Sequence, residues 1–201
     1  MGTEKKIKKG RLEVICGSMF SGKSEELIRR LRRAKIAKKK VITFKHSFDT
    51  RSDLNHVASH DGSTLPALAI KNTSEILNYE TDHVDVIGID EVQFFSHESI
   101  SVILQLLDQG KRVIVAGLNL DYRGVPFGPM PTLISLADTV TKLSAICIIC
   151  GADAYFSQRI INGAPAPYDD KLIKVGAQEH YQARCRTCFV VDNEKVWQKT
   201  K

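Results

Sequence analysis

The sequence lacks the features that mark secreted and membrane proteins. Its longest apolar runs, such as VIVAGLNL at 113–120, fall far short of the roughly 20 residues that a membrane-spanning helix needs. The lysines near the N-terminus are not followed by the apolar segment of a secretory signal. Lys6 stands where an N-myristoylation motif has Ser or Thr. These absences predict a cytoplasmic protein with no membrane partner.

Aromatic residues are also scarce, at 7% of a chain whose formal net charge is +6. Half of that excess lies in residues 1–9, which hold four lysines and one glutamate. A second basic run on a predicted helix contains no aromatic residue, whereas proteins that bind single-stranded nucleic acid need stacking rings among their basic residues. We therefore expect a solvated basic surface and no nucleic-acid partner. This run comprises Arg29, Arg30, Arg32, Arg33, Lys35, Lys38, Lys39 and Lys40.

Short runs rich in Val and Ile alternate with segments of helical periodicity, a pattern typical of an α/β fold. Apolar residues at helical spacing predict two amphipathic helices, at 22–38 and 97–108. The near-continuous apolar content of the strands predicts a parallel sheet with helices on both faces. The polar segment from His46 to Pro66 is predicted to be a long, irregular and mobile connection. Strands are predicted at 12–16, 41–44, 84–89, 112–118 and 139–146.

A phosphate-binding loop is predicted at 17–24, where GSMFSGKS fits the pattern G-x-x-x-x-G-K-[ST] between a predicted strand and a predicted helix. In this motif the backbone N–H groups and the helix N-terminus bind phosphate oxygens. Lys23 would neutralise the β and γ phosphates of ATP, and Ser24 would offer a hydroxyl to Mg²⁺. The motif predicts a P-loop NTPase fold of the RecA-like type. Its ATP-binding residues are Gly17, Ser18, Met19, Phe20, Ser21, Gly22, Lys23 and Ser24.

An acidic pair follows the apolar run VDVIGI. We expect Asp90 to hold Mg²⁺ together with Ser24, and Glu91 to act as general base, because neighbouring side chains point to different sides. Such a base can deprotonate water, giving an ATPase, or a substrate hydroxyl, giving a kinase. The loop and the acidic pair alone leave both possibilities open.

Four of the five cysteines form two C-x-x-C pairs, Cys147 with Cys150 and Cys185 with Cys188, with 34 residues between the pairs. This spacing predicts one tetrahedral zinc site rather than free buried thiols. Four thiolates leave no open position for water, so the zinc is expected to be structural. The segment 162–181 between the pairs is either a surface excursion or a loop that folds over a ligand.

Five motifs in order, namely GSMFSGKS, DEVQFF, AGLNLDYRGVPFG, the two C-x-x-C pairs and KVGAQEHY, resemble those of the type II thymidine kinases. The resemblance covers about residues 11–191. It implies a transferase that uses ATP to phosphorylate thymidine and deoxyuridine on the 5′-hydroxyl, giving thymidine monophosphate in nucleotide salvage. It also implies a homotetramer, and a zinc-held loop, the lasso, that covers the nucleoside.

The same resemblance implies roles for individual residues. Glu91 matches the proton acceptor, and Asp90, Val92 and Gln93 fall in the ATP site, although Val92 is bulkier than the small residue expected there. The residues that match the substrate site are Met19, Asp49, Arg51, Phe94, Phe127, Leu172, Ile173, Lys174, Val175, Gly176 and Tyr181.

These observations divide the chain into a disordered basic tail at 1–10, a P-loop kinase domain at 11–146, a zinc and lasso domain at 147–192 and a C-terminal tail at 193–201. The rival hypothesis is a RecA-like P-loop ATPase or a nucleic-acid-binding zinc protein, which the basic helix and the cysteine pairs would fit. That hypothesis predicts ATP hydrolysis stimulated by DNA and salt-dependent DNA binding.

Overall fold

The computed structural model describes residues 9–48, 56–58, 64–172 and 180–191. Six strands form a central sheet in which each pairing is parallel, in the order β5-β2-β6-β7-β1-β8. The strands are β1 (Arg11–Gly17), β2 (Val41–His46), β3 (His56–Ala58), β4 (Thr64–Pro66), β5 (Leu68–Ile70), β6 (Val86–Asp90), β7 (Arg112–Leu118), β8 (Thr139–Leu143), β9 (Ala145–Ile146), β10 (Asp153–Ala154), β11 (Phe156–Ile161), β12 (Ala164–Pro165) and β13 (His180–Arg184).

The described residues also form three α-helices, α1 (Lys23–Ile36), α2 (Glu98–Asp108) and α3 (Met130–Leu136), and two short 3₁₀ helices at Thr73–Asn78 and Val92–Phe94. Helix α1 packs on one face of the sheet, and α2 and α3 pack on the other. The sequence-based prediction of a parallel α/β sheet with flanking helices is therefore confirmed. Within the described residues, no helix has the length and apolar character that crossing a bilayer requires.

The two faces of the sheet have separate apolar cores. The α1 face buries Leu27, Ile28 and Leu31 against Ile15 and Ile114 of the sheet. The opposite face buries Ile103 and Leu106 of α2 and Met130 and Leu133 of α3 against strands that include β1, β6 and β7. Strand β6 is buried at all five positions, as expected for a parallel strand covered on both sides.

Within the segment from His46 to Pro66, the residues at 56–58 and 64–66 are not irregular as predicted, because strands β3 and β4 form an antiparallel pair there. Val57 and Leu65 are both buried against the α1 core, so isolated apolar residues in a polar segment are enough to anchor this pair. The predicted strand at 139–146 is divided between β8 and β9. Helix α3 and the edge strand β5 were not predicted, because each is too short for a clear periodic signal.

The C-terminal part builds two small antiparallel sheets. Strand β9 pairs with β10, and β11 pairs with β12 on one side and β13 on the other. Small apolar residues, namely Ala145, Ala154 and Ala183, form its core together with Cys147 and Cys185. This core is too small for apolar burial to stabilise the C-terminal part by much. A bound metal would therefore contribute an important share of its stability.

A buried carboxylate, that of Glu13 on β1, joins helix α1 to the sheet. Arg30 of α1 and Arg112 of β7 both donate hydrogen bonds to it, at distances from 2.8 to 3.1 Å. Burial acts to raise the pKa of Glu13, but the hydrogen bonds and charges of Arg112 and Arg30 outweigh this and hold the pKa below its ordinary value.

We expect Glu13→Gln to lower the free energy of unfolding by about 2–3 kcal/mol at pH 7, because Arg30 and Arg112 lose the carboxylate that they share. Arg112 has a side-chain exposure of 36%, so solvent screening reduces its share. Since folding depresses the pKa of Glu13, the wild-type advantage is full above the ordinary pKa of 4.5 and shrinks as the pH falls through the lower folded value. Urea unfolding of the wild type and of Glu13→Gln at a series of pH values from 7 to 3 measures this difference in the free energy of unfolding.

The exposed Glu80 provides the matched control, since Glu80→Gln removes the same charge where the side chain is solvated. We expect this control to match the wild type within about 0.5 kcal/mol at each pH. A difference between Glu13→Gln and the wild type that stays constant over the pH range would contradict the role of the Glu13 charge.

Candidate active site

Several of the predicted site residues that the structure describes lie at one edge of the sheet. All six strands are parallel, so their carboxyl ends lie side by side, which is where α/β proteins bind ligands. Gly17 ends β1 and begins the phosphate loop, Asp90 ends β6, and His46 ends β2. Strand β7 lies between β6 and β1 and brings Leu118 to the same edge.

The phosphate loop has a concave backbone. Phe20 and Gly22 have φ angles of 65° and 80°, in the left-handed region, and α1 begins at the next residue, Lys23. Left-handed residues turn successive N–H groups toward one centre, and the N-terminus of α1 adds its partial positive charge there. Lys23 is 8% exposed, and its ammonium donates to the carbonyl oxygen of Ser18 at 2.7 Å. The loop therefore presents a backbone and a cation suited to phosphate.

Ser24 and Asp90 are in direct contact, although they are far apart in the chain. The Ser24 hydroxyl donates to Oδ2 of Asp90 at 2.9 Å, and Asp90 is 1% exposed. Oδ1 of Asp90 accepts from the backbone N–H of Glu91 at 3.0 Å. A hydroxyl and a buried carboxylate oxygen are the hard donors that Mg²⁺ prefers, so the chemistry of this pair fits that ion.

Glu91 is held in an unusual backbone conformation. Its φ of 54° and ψ of 40° lie in the left-handed region, which is uncommon for a residue other than glycine. The side-chain amide nitrogen of Gln93 donates to Oε2 of Glu91 at 2.5 Å. Oε1 of Gln93 accepts from the N–H of Leu118 at 3.0 Å. A Cβ on Gly117 would lie 2.6 Å from this Gln93 oxygen, so the close approach requires glycine. Gln93 thus fixes the Glu91 carboxylate to the end of β7.

Val92 lies between Glu91 and Gln93 in the sequence, but its side chain is buried in the apolar core. It is 0% exposed and belongs to the apolar core on the α2 face. Only its backbone is therefore available to a nucleotide. The bulkier side chain that distinguishes this sequence at position 92 fills core space rather than changing the site surface.

Aromatic side chains lie beside the acidic pair. Phe94 and Phe127 pack edge to face with ring centroids 5.7 Å apart. His46 packs 5.9 Å from Phe94 and 4.5 Å from Phe48, which is 48% exposed. Burial lowers the pKa of His46, although a hydrogen bond with the backbone of Lys71 and the nearby charge of Glu91 act to raise it. The aromatic group beside the acidic pair therefore includes the half-exposed ring of Phe48 and the imidazole of His46, whose neutral form is favoured.

Strands β10 and β11 of the C-terminal part both contact the phosphate loop directly. The Ser18 hydroxyl donates to the carbonyl oxygen of Ala154 at 3.0 Å. The N–H of Met19 donates to Oγ of Ser157 at 2.9 Å, and Ser157 is buried. These two hydrogen bonds therefore hold the phosphate loop against the C-terminal part.

Two of the predicted lasso residues can be located. Leu172 is 37% exposed, and Tyr181 lies on β13, where its hydroxyl accepts from Nε of Arg159 at 2.8 Å. The remaining predicted substrate residues lie outside the described residues. They are Asp49, Arg51, Ile173, Lys174, Val175 and Gly176.

The four cysteines of the two C-x-x-C pairs form a single cluster whose sulfur atoms all lie within 4.8 Å of one another. A zinc ion with four bonds of about 2.3 Å places its sulfur ligands about 3.8 Å apart, so the cluster fits such a metal. Burial acts to raise the pKa of Cys147, yet backbone N–H donors, that of Cys185 first, lower it to about 6. Hydrogen bonds with the Cys185 and Cys150 thiols raise the pKa of Cys188 to about 12. Four thiolates this close together repel one another, so a bound cation such as zinc would favour ionisation of all four.

Several residues of this site were missed at the level of sequence. Ser157 and Arg159 have no motif around them, and only their contacts with distant segments reveal them. His46 and Phe48 had a usable signal, because they follow a buried strand at the edge where parallel strands end.

One comparison with known families bears on this site. A family model described as thymidine kinase matches residues 10–189. The match includes the phosphate loop, the acidic pair and all four clustered cysteines, and it spans most of the chain. It assigns the protein to enzymes that transfer a phosphoryl group to a nucleoside. The chain therefore belongs to the thymidine kinase family.

Proposed function

We propose that this protein uses ATP to phosphorylate thymidine, and also deoxyuridine, on the 5′-hydroxyl, giving thymidine monophosphate from thymidine and serving nucleotide salvage. The observation that supports this most is the placement of Glu91. It follows the Asp90 that contacts the phosphate-loop Ser24, and its charge acts on His46, which packs against Phe94. We propose on this basis that the Glu91 carboxylate lies between the site for the phosphates of ATP and the aromatic site for the nucleoside.

Glu91 is the proposed proton acceptor. A general base must reach the hydroxyl that it deprotonates and must keep a fixed orientation. The hydrogen bond from Gln93 and the constrained backbone of Glu91 supply that orientation. The 5′-hydroxyl would give its proton to this carboxylate as the hydroxyl oxygen attacks the terminal phosphorus atom of ATP. The bond from that phosphorus to the oxygen of the β-phosphate would break at the same time, and ADP would leave.

The phosphate loop and Lys23 are proposed to bind the phosphates of ATP and to stabilise the charge on the transferred group. Ser24 and Asp90 would hold Mg²⁺, which neutralises the charge shared by the β and γ phosphates when it is bound. The backbone of residues 90–93 is proposed to border the same site. Asp49 and Arg51 are proposed to act near the transferred phosphate.

The nucleoside base is proposed to lie against Phe94 and Phe127, with Met19 beside it, and the lasso at 172–176 and Tyr181 would cover it. Aromatic packing favours a flat base, and buried polar groups left unpaired by a wrong base supply discrimination. Structural zinc at the four cysteines would hold the lasso from outside. We further propose a cytoplasmic homotetramer.

The direct test incubates the purified protein with ATP and Mg²⁺, with and without thymidine or deoxyuridine, and measures nucleoside monophosphate and ADP. We expect ADP to form in step with thymidine monophosphate and to fall at least about 100-fold without a nucleoside, because water then replaces the positioned hydroxyl. Equal ATP turnover with and without thymidine would instead indicate an ATPase. Adding DNA serves as a further control and is expected to leave the rate unchanged.

A further inference from the structure

A buried glutamine, Gln93, joins the acidic pair to the neighbouring strand of the sheet. It is 2% exposed. Its side-chain nitrogen donates to the carboxylate of Glu91, and its side-chain oxygen accepts from the backbone N–H of Leu118 at the end of β7. The protein therefore engages both ends of this amide, one with the proposed proton acceptor and the other with the backbone of β7.

Two glycines allow distant segments to pack closely on Gln93. A Cβ on Gly117 of β7 would lie 2.6 Å from its side-chain oxygen, and a Cβ on Gly128 would lie 2.4 Å from its carbonyl oxygen. Side-chain carbons do not approach oxygen atoms this closely, so glycine is required at both positions. Gly128 directly follows Phe127, and Phe94 directly follows Gln93. The same packing therefore connects Gln93 to the two rings of the aromatic site.

The Glu91 carboxylate depends on its surroundings for its orientation. Its backbone is in the left-handed region, where a residue other than glycine stays only when neighbouring contacts hold it. One such contact is the hydrogen bond from the N–H of Phe94 to the Glu91 carbonyl oxygen, at 3.1 Å. A glutamate side chain has three rotatable bonds, and the donor on Gln93 restricts their rotation.

We propose that Gln93 is a positioning residue for phosphoryl transfer, which aims the Glu91 carboxylate at the nucleoside hydroxyl and fixes that aim to the end of β7. This rests on the proposed function, because it takes Glu91 as the proton acceptor. The resemblance to the type II thymidine kinases placed Gln93 in the ATP site, and we assign only its backbone to that role. Its side chain would have to give up a hydrogen bond within the protein to bind a phosphate.

The test replaces the amide by a side chain of similar length that forms no comparable hydrogen bonds, Gln93→Met in the full chain. We expect kcat for thymidine phosphorylation to fall about 10-fold to 100-fold, because a misdirected carboxylate reaches the hydroxyl less often. The Kd values for thymidine and ATP should stay within about 3-fold of the wild type. Steady-state kinetics and equilibrium dialysis measure these quantities.

Gln158 on β11 provides the matched control. It is also 2% exposed, and its side-chain oxygen likewise accepts from a backbone N–H, that of Val190 at 2.9 Å. Gln158→Met therefore loses a comparable buried hydrogen bond away from the acidic pair. We expect it to lower Tm by about as much as Gln93→Met does and to keep kcat within about 3-fold of the wild type.

A double-mutant cycle with Glu91→Gln separates positioning from a general structural effect. If Gln93 acts through the Glu91 carboxylate, adding Gln93→Met to Glu91→Gln should change kcat by less than about 3-fold. Equal losses of kcat in the two backgrounds would overturn the inference. A rise in the Kd for ATP at unchanged kcat would also overturn it, because the side chain would then bind the nucleotide.

A second variant keeps the inference testable if Gln93→Met does not fold. Gly117→Ala adds one methyl group that displaces the Gln93 side-chain oxygen, and we expect kcat to fall at least about 10-fold with both Kd values within about 3-fold. A kcat within about 2-fold of the wild type in the folded variants would overturn the inference and leave the proposed function intact. A wild-type protein that phosphorylates no nucleoside would remove both.

Discussion

Glu91→Gln is expected to reduce kcat for thymidine phosphorylation by about 100-fold to 10,000-fold, because the amide has the shape of the carboxylate but cannot accept the hydroxyl proton. The Gln93 amide can still donate to the new side-chain oxygen, so the local geometry is preserved. Substrate binding should therefore persist. Steady-state kinetics gives the rate, and equilibrium dialysis with thymidine and ATP gives the two affinities, each expected within about 3-fold of the wild type.

The exposed Glu80 again provides a control that loses the same charge away from the site. Glu80→Gln should have wild-type kcat and affinities. If Glu91→Gln kept kcat within about 10-fold of the wild type, Glu91 would not be the proton acceptor. A loss of thymidine affinity in place of the loss of rate would instead assign Glu91 to binding.

Removing one sulfur from the cysteine cluster should lower the zinc content and the free energy of unfolding and raise the KM for thymidine. We expect Cys185→Ser to lower the zinc content from about one ion per chain to near zero, because the hydroxyl is a poor replacement for a thiolate ligand. Structural zinc contributes much folding free energy, so we expect a loss of at least about 3 kcal/mol, or about 10 °C in Tm. The KM for thymidine should rise at least about 10-fold, since Cys185 follows Tyr181 by four residues and would anchor that end of the proposed lasso.

The matched control removes the fifth cysteine, which lies outside the cluster. Cys16 is buried on β1, and Cys16→Ala should leave the zinc content and the KM for thymidine unchanged despite a small loss of packing. Thymidine affinity that survives zinc loss in Cys185→Ser would show that the lasso does not depend on the metal. Metal analysis, thermal unfolding and kinetics on the same preparations give these outcomes.

The parts of the protein that were predictable from sequence are motifs whose functional residues lie close together in the chain. The phosphate loop, the acidic pair and the cysteine pairs each lie within a few residues, and the structure brings Ser24 to Asp90 as their positions after parallel strands suggest. The apolar strands were predictable for the same reason, because burial on both faces leaves a continuous signal.

The residues that escaped prediction act through long-range contacts. Met19 meets Ser157 across 138 positions, and no pattern within β11 indicates which distant segment its side chains will contact. Arg159 appears in the sequence as one more basic residue, yet it is almost fully buried. Burial of a charge is a property of the assembled fold, because its partners come from distant parts of the chain and include the backbone carbonyls of residues 171 and 172, which carry no side-chain signature.

The contacts of β11 limit where the chain can change in length. Adding or deleting one residue within β11 would turn each following side chain to the other face, and Ser157 and Arg159 could then no longer both keep their contacts. The turn that follows has no such constraint: Asn162 and Gly163, with φ angles of 50° and 80°, form a two-residue hairpin connection in which nothing lies within 4 Å of a Cβ on Gly163. Length variation among relatives of this chain should therefore occur at this hairpin and be absent from the strand before it.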